Sequence, residues 1–194
     1  MAFTTKGRAT RDRIVEGAAT YLRGADPGTV TLDDVRAITG TSKGQIFHYF
    51  PGGKEELLLA VARLEADRVL LDQQPHLGDL TTWAAWDRWR DALIARYRAQ
   101  GRLCPLGVLM DQVRNTPGAS DVVTVLLAQW ESDIERGLRI MQDTGDIRPE
   151  LSAPRTAAAF IAGIQGGVQI LRSTGSTDHL EAILDLLIDH LRTT

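Results

Sequence analysis

Cysteine is almost missing from this chain. Its 194 residues hold one, Cys104, so no disulfide can close within the chain, and the usage fits a reducing compartment. Long apolar runs are missing too. The longest stretch without a charge, Thr156 to Leu171, contains Gln165, Gln169 and three glycines, and it is shorter than the roughly 18–20 apolar residues a membrane span needs. The opening MAFTTKGRAT has no apolar core of the signal-peptide kind. A cytoplasmic protein with no membrane segment is expected. Four scattered histidines, His48, His76, His179 and His190, offer no metal-ligand spacing. Nor is there a nucleophile elbow, a phosphate loop or a dinucleotide fingerprint. No catalytic residue, metal or cofactor is assigned, and an enzyme is not expected.

What is present is ordinary in amount and uneven in placement. Hydrophobic residues make up 43% and charged residues 24% of the chain, as in a soluble globular protein. The net charge is −3, yet residues 1–54 carry eight Lys/Arg against five Asp/Glu, and the remainder 14 against 20. A basic head on an acidic body turns the head toward a polyanion.

The stretch from Val30 to Lys54, VTLDDVRAITGTSKGQIFHYFPGGK, reads as two short helices around a tight turn. Thr31 with Asp34 has capping-box spacing, and Val30 with Val35 has hydrophobic-staple spacing. Val35 and Ile38 supply the apolar edge of the first helix. Gly40 supplies a left-handed residue between the helices. Ser42 and Gln45 repeat the capping box, and Ile46, Phe47 and Phe50 turn one side of the second helix inward. Lys43, Gln45, His48 and Tyr49 are left outside, a basic, amide-bearing and aromatic face suited to a major groove.

The segment ITGTSKGQIFHYFPGGKEELL resembles the signature of the TetR family of bacterial repressors, over about residues 8 to 60. Thr41 departs from the usual apolar turn residue, Arg36 from a common small one, and Pro51-Gly52-Gly53 adds one residue before Lys54. The P-G-G-K-E form, with Cys104-Pro105-Leu106-Gly107 further on, is similar to the branch typified by the LmrA and YxaF multidrug regulators. The resemblance implies an all-α protein of about nine helices. Residues 1–54 would form the DNA-binding domain, capped by the start of a connecting helix from Lys54 to Gln73, and residues 55–194 the ligand-binding and dimerisation domain.

Helical periodicity agrees along the rest of the chain. Expected helices run from about Arg8 to Arg23, with Arg8, Arg11 and Arg13 near its start as phosphate contacts or a solvated face, and from Thr81 to Gln100. Others follow Pro105 to Asn115, Ser120 to Thr144, Pro154 to Thr174 and Asp178 to Arg192. No strand alternation or internal repeat is found.

On double-stranded DNA, Gln45 can bridge adenine N6 and N7, Lys43 can approach a guanine edge, and Gly44 lets the backbone come close. Thr31, Thr41, Ser42, His48, Tyr49 and Lys54 are expected on phosphates, a role the resemblance also puts on Thr31, Tyr49 and Lys54. Gln45 cannot cap its helix and read a base with the same atoms. Each residue alone could equally be a cap, core or idle surface group.

One helix-turn-helix covers too few base pairs for specific binding, so a homodimer on a palindromic operator is expected. Phe160, Gly163, Ile164, Gly167, Val168, Leu171, Leu184, Leu187, Ile188 and Leu191 are assigned to its interface, with monomer core as the alternative. Trp83, Trp86, Trp89, Tyr97, Cys104, Met110, Trp130, Phe160, Gln165 and Gln169 are assigned to a cavity for a small apolar or aromatic inducer, as the resemblance implies. Core filling is the alternative for the aromatics, and the two glutamines count because a buried amide needs a partner. Two other readings stay open: a ligand-independent DNA-binding regulator under a protein partner, and a thiol switch through Cys104.

Overall fold

A computed structural model describes residues 4–23, 31–102, 107 and 117–193. Among these residues all regular structure is helical. Eight α-helices, α1 (Thr5–Leu22), α2 (Leu32–Thr39), α3 (Lys43–Tyr49), α4 (Gly53–Leu71), α5 (Trp83–Gln100), α6 (Ala119–Asp143), α7 (Ala153–Thr174) and α8 (Asp178–Arg192), are joined by a 3-10 turn at Leu77–Asp79. The helix expected after Pro105 lies, but for Gly107, outside the described residues. Two compact units result, one from Met1–Arg68 with Pro105–Val123, the other from Val69–Cys104 with Thr124–Thr194.

In the first unit α1 buries Ile14, Val15, Ala18, Ala19 and Leu22, the face its periodicity marks. It starts earlier than its apolar spacing suggests, because the Thr4 hydroxyl caps it by accepting from the Gly7 amide at 3.2 Å. α2 packs on α1 where Gly17 leaves room, since a Cβ at residue 17 would collide with the Thr39 side chain. Arg13 donates to the Thr39 carbonyl at the end of α2, and the Thr39 hydroxyl donates back to the Val35 carbonyl at 2.7 Å. This geometry corrects the apolar edge of α2: Val35 and Thr39 face inward, and Ile38 is 45% exposed. α4 closes the unit with Leu57, Leu58, Val61 and Ala62 buried. Its buried Glu65 accepts from Arg23 Nη2 at 2.6 Å and Arg68 Nη1 at 2.8 Å, and Arg68 reaches Glu16 at 2.5 Å. A buried carboxylate stands only with such partners, and here they tie α4 to α1.

In the second unit the aromatics of α5 and α7 form the core. Trp86 and Trp89 stand edge to face at 5.8 Å, with Phe160 at 5.2 Å and 6.1 Å from them. The Trp89 indole N–H donates to Gln73 Oε1 at 3.1 Å, and the Gln73 amide donates to the Val69 carbonyl at 2.8 Å, so this buried polar pair is fully served. α7 and α8 pack as a hairpin. Their approach is close at Gly167, where an added Cβ would lie 2.7 Å from Leu180 Cα. Arg90 grips Asp185 with two hydrogen bonds of 2.8 and 3.0 Å. Arg98–Glu181 at 2.7 Å and Arg192–Asp87 at 2.6 Å also join α5 to α8.

Gly17→Ala is expected to lower the stability of the chain by about 1–3 kcal/mol through overpacking against Thr39. Gly44→Ala, where a new Cβ meets nothing closer than 4.0 Å, should be neutral or slightly stabilising. Urea midpoints of the two variants check this.

Candidate nucleic-acid interface

Two reciprocal caps set the helices that carry the outward groups. At α2, Thr31 Oγ1 accepts from the Asp34 amide at 3.2 Å, while Asp34 Oδ2 accepts from the Thr31 amide at 2.9 Å and its hydroxyl at 2.6 Å. At α3, Ser42 Oγ accepts from the Gln45 amide at 3.2 Å and Gln45 Oε1 from the Ser42 amide at 2.9 Å. Between them Gly40 is left-handed, at φ 61°, which lets the chain leave α2 and enter α3 within a few residues. Ile46 and Phe50 pin α3 from inside, and the Arg11 guanidinium lies 5.0 Å from the Phe50 ring centroid.

Lys43, Gly44, Gln45, Phe47 and His48 are exposed together, with Ser42 at the head of the helix and Tyr49 half-buried. His48 and Tyr49 meet edge to face at 4.9 Å. Thr41 is not among the outward groups. It is buried, with its hydroxyl bonded to that of Thr39, so its side chain braces the turn and is not offered to a phosphate. Thr31 is exposed, but its amide and hydroxyl hydrogens are both held by Asp34. Ser42 keeps its hydroxyl hydrogen, because there Oγ only accepts. Gln45 keeps its Nε2 donors while Oε1 serves the cap. With the cap intact, Gln45 can donate to a base acceptor through Nε2 while Oε1 already accepts from the Ser42 amide.

Phe47 corrects the inward trio of the sequence reading. It is 42% exposed, because a residue next to Ile46 falls about 100° around the helix from it. Its ring instead leans on the turn before α4, with Cε1 3.5 Å from where a Cβ of Gly53 would be. That turn carries the Gly52 amide donating to Glu56 Oε2 at 2.8 Å. Lys54 follows, and its charge adds, after the two Thr31 hydrogen bonds, to the lowering of the Asp34 pKa. The structure thus gathers Thr31, Asp34 and Lys54 at one edge of the helix-turn-helix and Lys43 to His48 on its outer face. Of the arginines of α1, Arg11 stacks on Phe50 and Arg13 binds the Thr39 carbonyl, so both brace the unit.

The groups assigned to an inducer cavity divide. Trp86, Trp89, Trp130 and Phe160 are fully buried, as is most of Tyr97. Trp83 is partly buried, with the Arg192 guanidinium 5.4 Å from its ring. Gln165 and Gln169 are exposed in the single chain, so the premise of buried amides fails: they follow the outer side of α7. Cys104 and Met110 lie outside the described residues.

The assigned dimer residues need a correction. Phe160, Ile164, Gly167, Val168, Leu171, Leu184, Ile188 and Leu191 are buried within the single chain. Gly163 lies in the α7–α8 seam, where a Cβ would sit 2.7 Å from Ile183 and 3.5 Å from Leu187. The most apolar stripe of each helix has gone to the chain's own core. What α7 leaves outside is Ala158, Ala159, Ala162, Gly166 and Ile170 beside the two glutamines, and α8 adds Ala182 and Leu186, the last 65% exposed. This face carries no charge on α7 between Arg155 and Arg172. The uncharged run marked it in the sequence, but the larger apolar neighbours drew the assignment away.

Among the described residues no helix is long and apolar enough to cross a membrane, and no group of three or more His, Cys, Asp or Glu could hold a metal.

Asp34 is held below the ordinary carboxylate pKa, first by the Thr31 hydroxyl and then by its amide. Its contribution to stability is complete above the unfolded value and is lost as pH falls through the lowered folded one. Thr31→Val should return the carboxyl toward the ordinary value and remove most of that pH dependence. Carboxyl NMR titration of Asp34 in the two proteins checks this.

The model of bacterial regulatory proteins of the tetR family matches residues 14–61, and that of the tetracyclin repressor-like C-terminal domain matches residues 83–187. An uncharacterized HTH-type transcriptional regulator of Mycobacterium tuberculosis is 31% identical over 90 residues, 46% of this chain and 43% of the relative. That match spans less than half the relative's length. Among solved structures, a TetR transcriptional regulator from Chloroflexus aurantiacus superposes with a TM-score of 0.78 at 27% identity, over 96% of each chain. A TetR family regulator from Cytophaga hutchinsonii gives 0.79 at 20% identity over 100% of both chains. SmeT, in complex with triclosan, gives 0.70 at 18% identity over 94% of this chain and 91% of its own.

Proposed function

Because the chain belongs to the TetR family of bacterial regulatory proteins, we propose that it is a ligand-responsive transcriptional repressor acting as a homodimer on a palindromic DNA operator. The observation that carries this reading is the outer face of α3, where Lys43, Gly44, Gln45, Phe47 and His48 stand free of the core while Ile46 and Phe50 fix the helix beneath them. In a major groove Lys43 approaches a guanine edge, Gln45 donates through Nε2, and the Phe47 ring meets a thymine methyl. The Ser42 hydroxyl, Tyr49 and Lys54 serve phosphates and set the register. Residues 1–54 with the start of α4 read DNA, and residues 55–194 dimerise and take the ligand. The P-G-G-K turn before α4 supports the LmrA/YxaF-like branch.

The face of α7 and α8 from Ala158 to Ile170, with Ala182 and Leu186, is the dimer surface in this reading. It is uncharged where it is broadest, as the centre of a permanent interface is. Each protomer then presents one α3 to one half-site, with half-sites one helical turn or a multiple apart. The inducer is a small apolar or aromatic molecule held by the α5–α7 aromatics, and its binding needs to shift operator affinity by only a few kcal/mol.

Gln45→Glu keeps a cap oxygen for Ser42 and replaces the outward donor by an acceptor. The folded stability should hold, while base preference at one operator position moves toward cytosine, by about 1–3 kcal/mol. Lys54→Ala should weaken all sequences alike and reduce the salt slope by about one. Binding-site selection and mobility shifts at several salt concentrations check both, and an unchanged preference in Gln45→Glu would refute its role. Ala162→Glu and Leu186→Glu should each give helical monomers that no longer shift a palindrome. Light scattering and circular dichroism read this, and persistent dimers would move the interface elsewhere.

A further inference from the structure

Arg36 of α2 is held in a way that does little for the fold. Its Nε is buried with no hydrogen-bond partner, and an N–H that has left water without gaining an acceptor is destabilising. Its head makes an ion pair from Nη1 to Asp33 Oδ1 at 2.6 Å, with the Arg36 side chain 41% and the Asp33 side chain 82% exposed. A pair this open to water contributes little. It also points back over the first turn of α2, where the helix dipole disfavours a cation. The bracing arginines of the same unit are held differently: Arg13 donates to the Thr39 carbonyl, and Arg23 and Arg68 share the buried Glu65. A side chain that breaks a local rule without a structural gain points to function.

The backbone sets where this head can reach. Ile38 marks the α1 side of α2, 3.7 Å from where a Cβ of Gly17 would be. Arg36, two residues before it, is turned about 160° around the helix from that side. Its carbonyl accepts the Thr41 amide at 3.3 Å, so its backbone stands beside the turn that leads into α3. The guanidinium, at Asp33, therefore sits over the first turn of α2 on the flank turned from α1. Thr31 caps that same turn.

We propose that Arg36 is a phosphate-binding residue of this protein, held by Asp33 in the free chain and passed to the DNA backbone in the complex. The proposal rests on the DNA-binding reading above and adds to it one contact and one carboxylate that competes for that contact. A phosphate can take Nη1 and Nη2 together, where Asp33 engages Nη1. Asp33 orients the guanidinium before binding, and in the complex its charge opposes the phosphate.

The test uses the full chain on two duplexes of equal length, a palindrome recovered by binding-site selection and a random sequence. Mobility shifts are run at several salt concentrations, and a urea midpoint is taken for each variant. Arg36→Ala should weaken both duplexes alike, roughly ten-fold, and reduce the salt slope by about one per protomer. Its urea midpoint should hold or rise, because alanine removes the unserved Nε and favours the helix. Arg36→Lys should keep the slope and lose part of the affinity, since an ammonium lacks the fork. Asp33→Asn should strengthen binding to both duplexes. A pair that merely pins α2 gives another pattern, in which Arg36→Ala and Asp33→Asn lose stability and weaken binding together. That pattern, or an unchanged salt slope in Arg36→Ala, would overturn the proposal. Failure of the underlying reading looks different: the wild-type chain would then shift neither duplex even at low salt, and the proposal would go with it.

Discussion

The contact between Gly17 and Thr39 is the constraint on which the helix-turn-helix depends. α2 can lie against α1 only because residue 17 has no side chain. Everything nearby then holds the end of α2 in that place: Arg13 on the Thr39 carbonyl, Thr39 on Val35, and the buried Thr41 hydroxyl on Thr39. The start of α3 is fixed by the same turn, so the direction of its outer face follows from a packing contact on its hidden side. A helix of seven residues such as α3 is too short to be stable alone. Its order is borrowed from α1, α2 and the two caps.

Much of this was legible in the chain. The capping boxes at Thr31 and Ser42, the left-handed Gly40 and the buried Ile46 and Phe50 all follow from local rules, because caps and turns act within a few residues of sequence. Side chains whose place depends on a neighbour were less so. Ile38 reads as core until Thr39, drawn in by Gly17, takes the inner position. Phe47 reads as core until the helical angle from Ile46 turns it out. The face left by α7 and α8 was visible as an uncharged run, but which side of that run the chain keeps for itself depends on Gly163 and Gly167 meeting α8, a long-range contact with no local signature.

The two units treat polarity in opposite ways. The first buries a carboxylate, Glu65, and surrounds it with Arg23 and Arg68, which locks α4 to α1. The second keeps its ion pairs between α5 and α8 on the outside. A unit braced by a charged cluster is suited to hold one geometry.

The outer side of α7 has a further property. Ala158, Ala159, Ala162 and Gly166 carry methyl groups or bare backbone, with no rotatable bonds to immobilise. A surface of long side chains gives up rotamer freedom when it is covered, and these four positions give up none. Backbones can also come nearer across it than across leucines, which raises the number of dispersion contacts per unit area. Association through these four positions would be unusually sensitive to an added side chain.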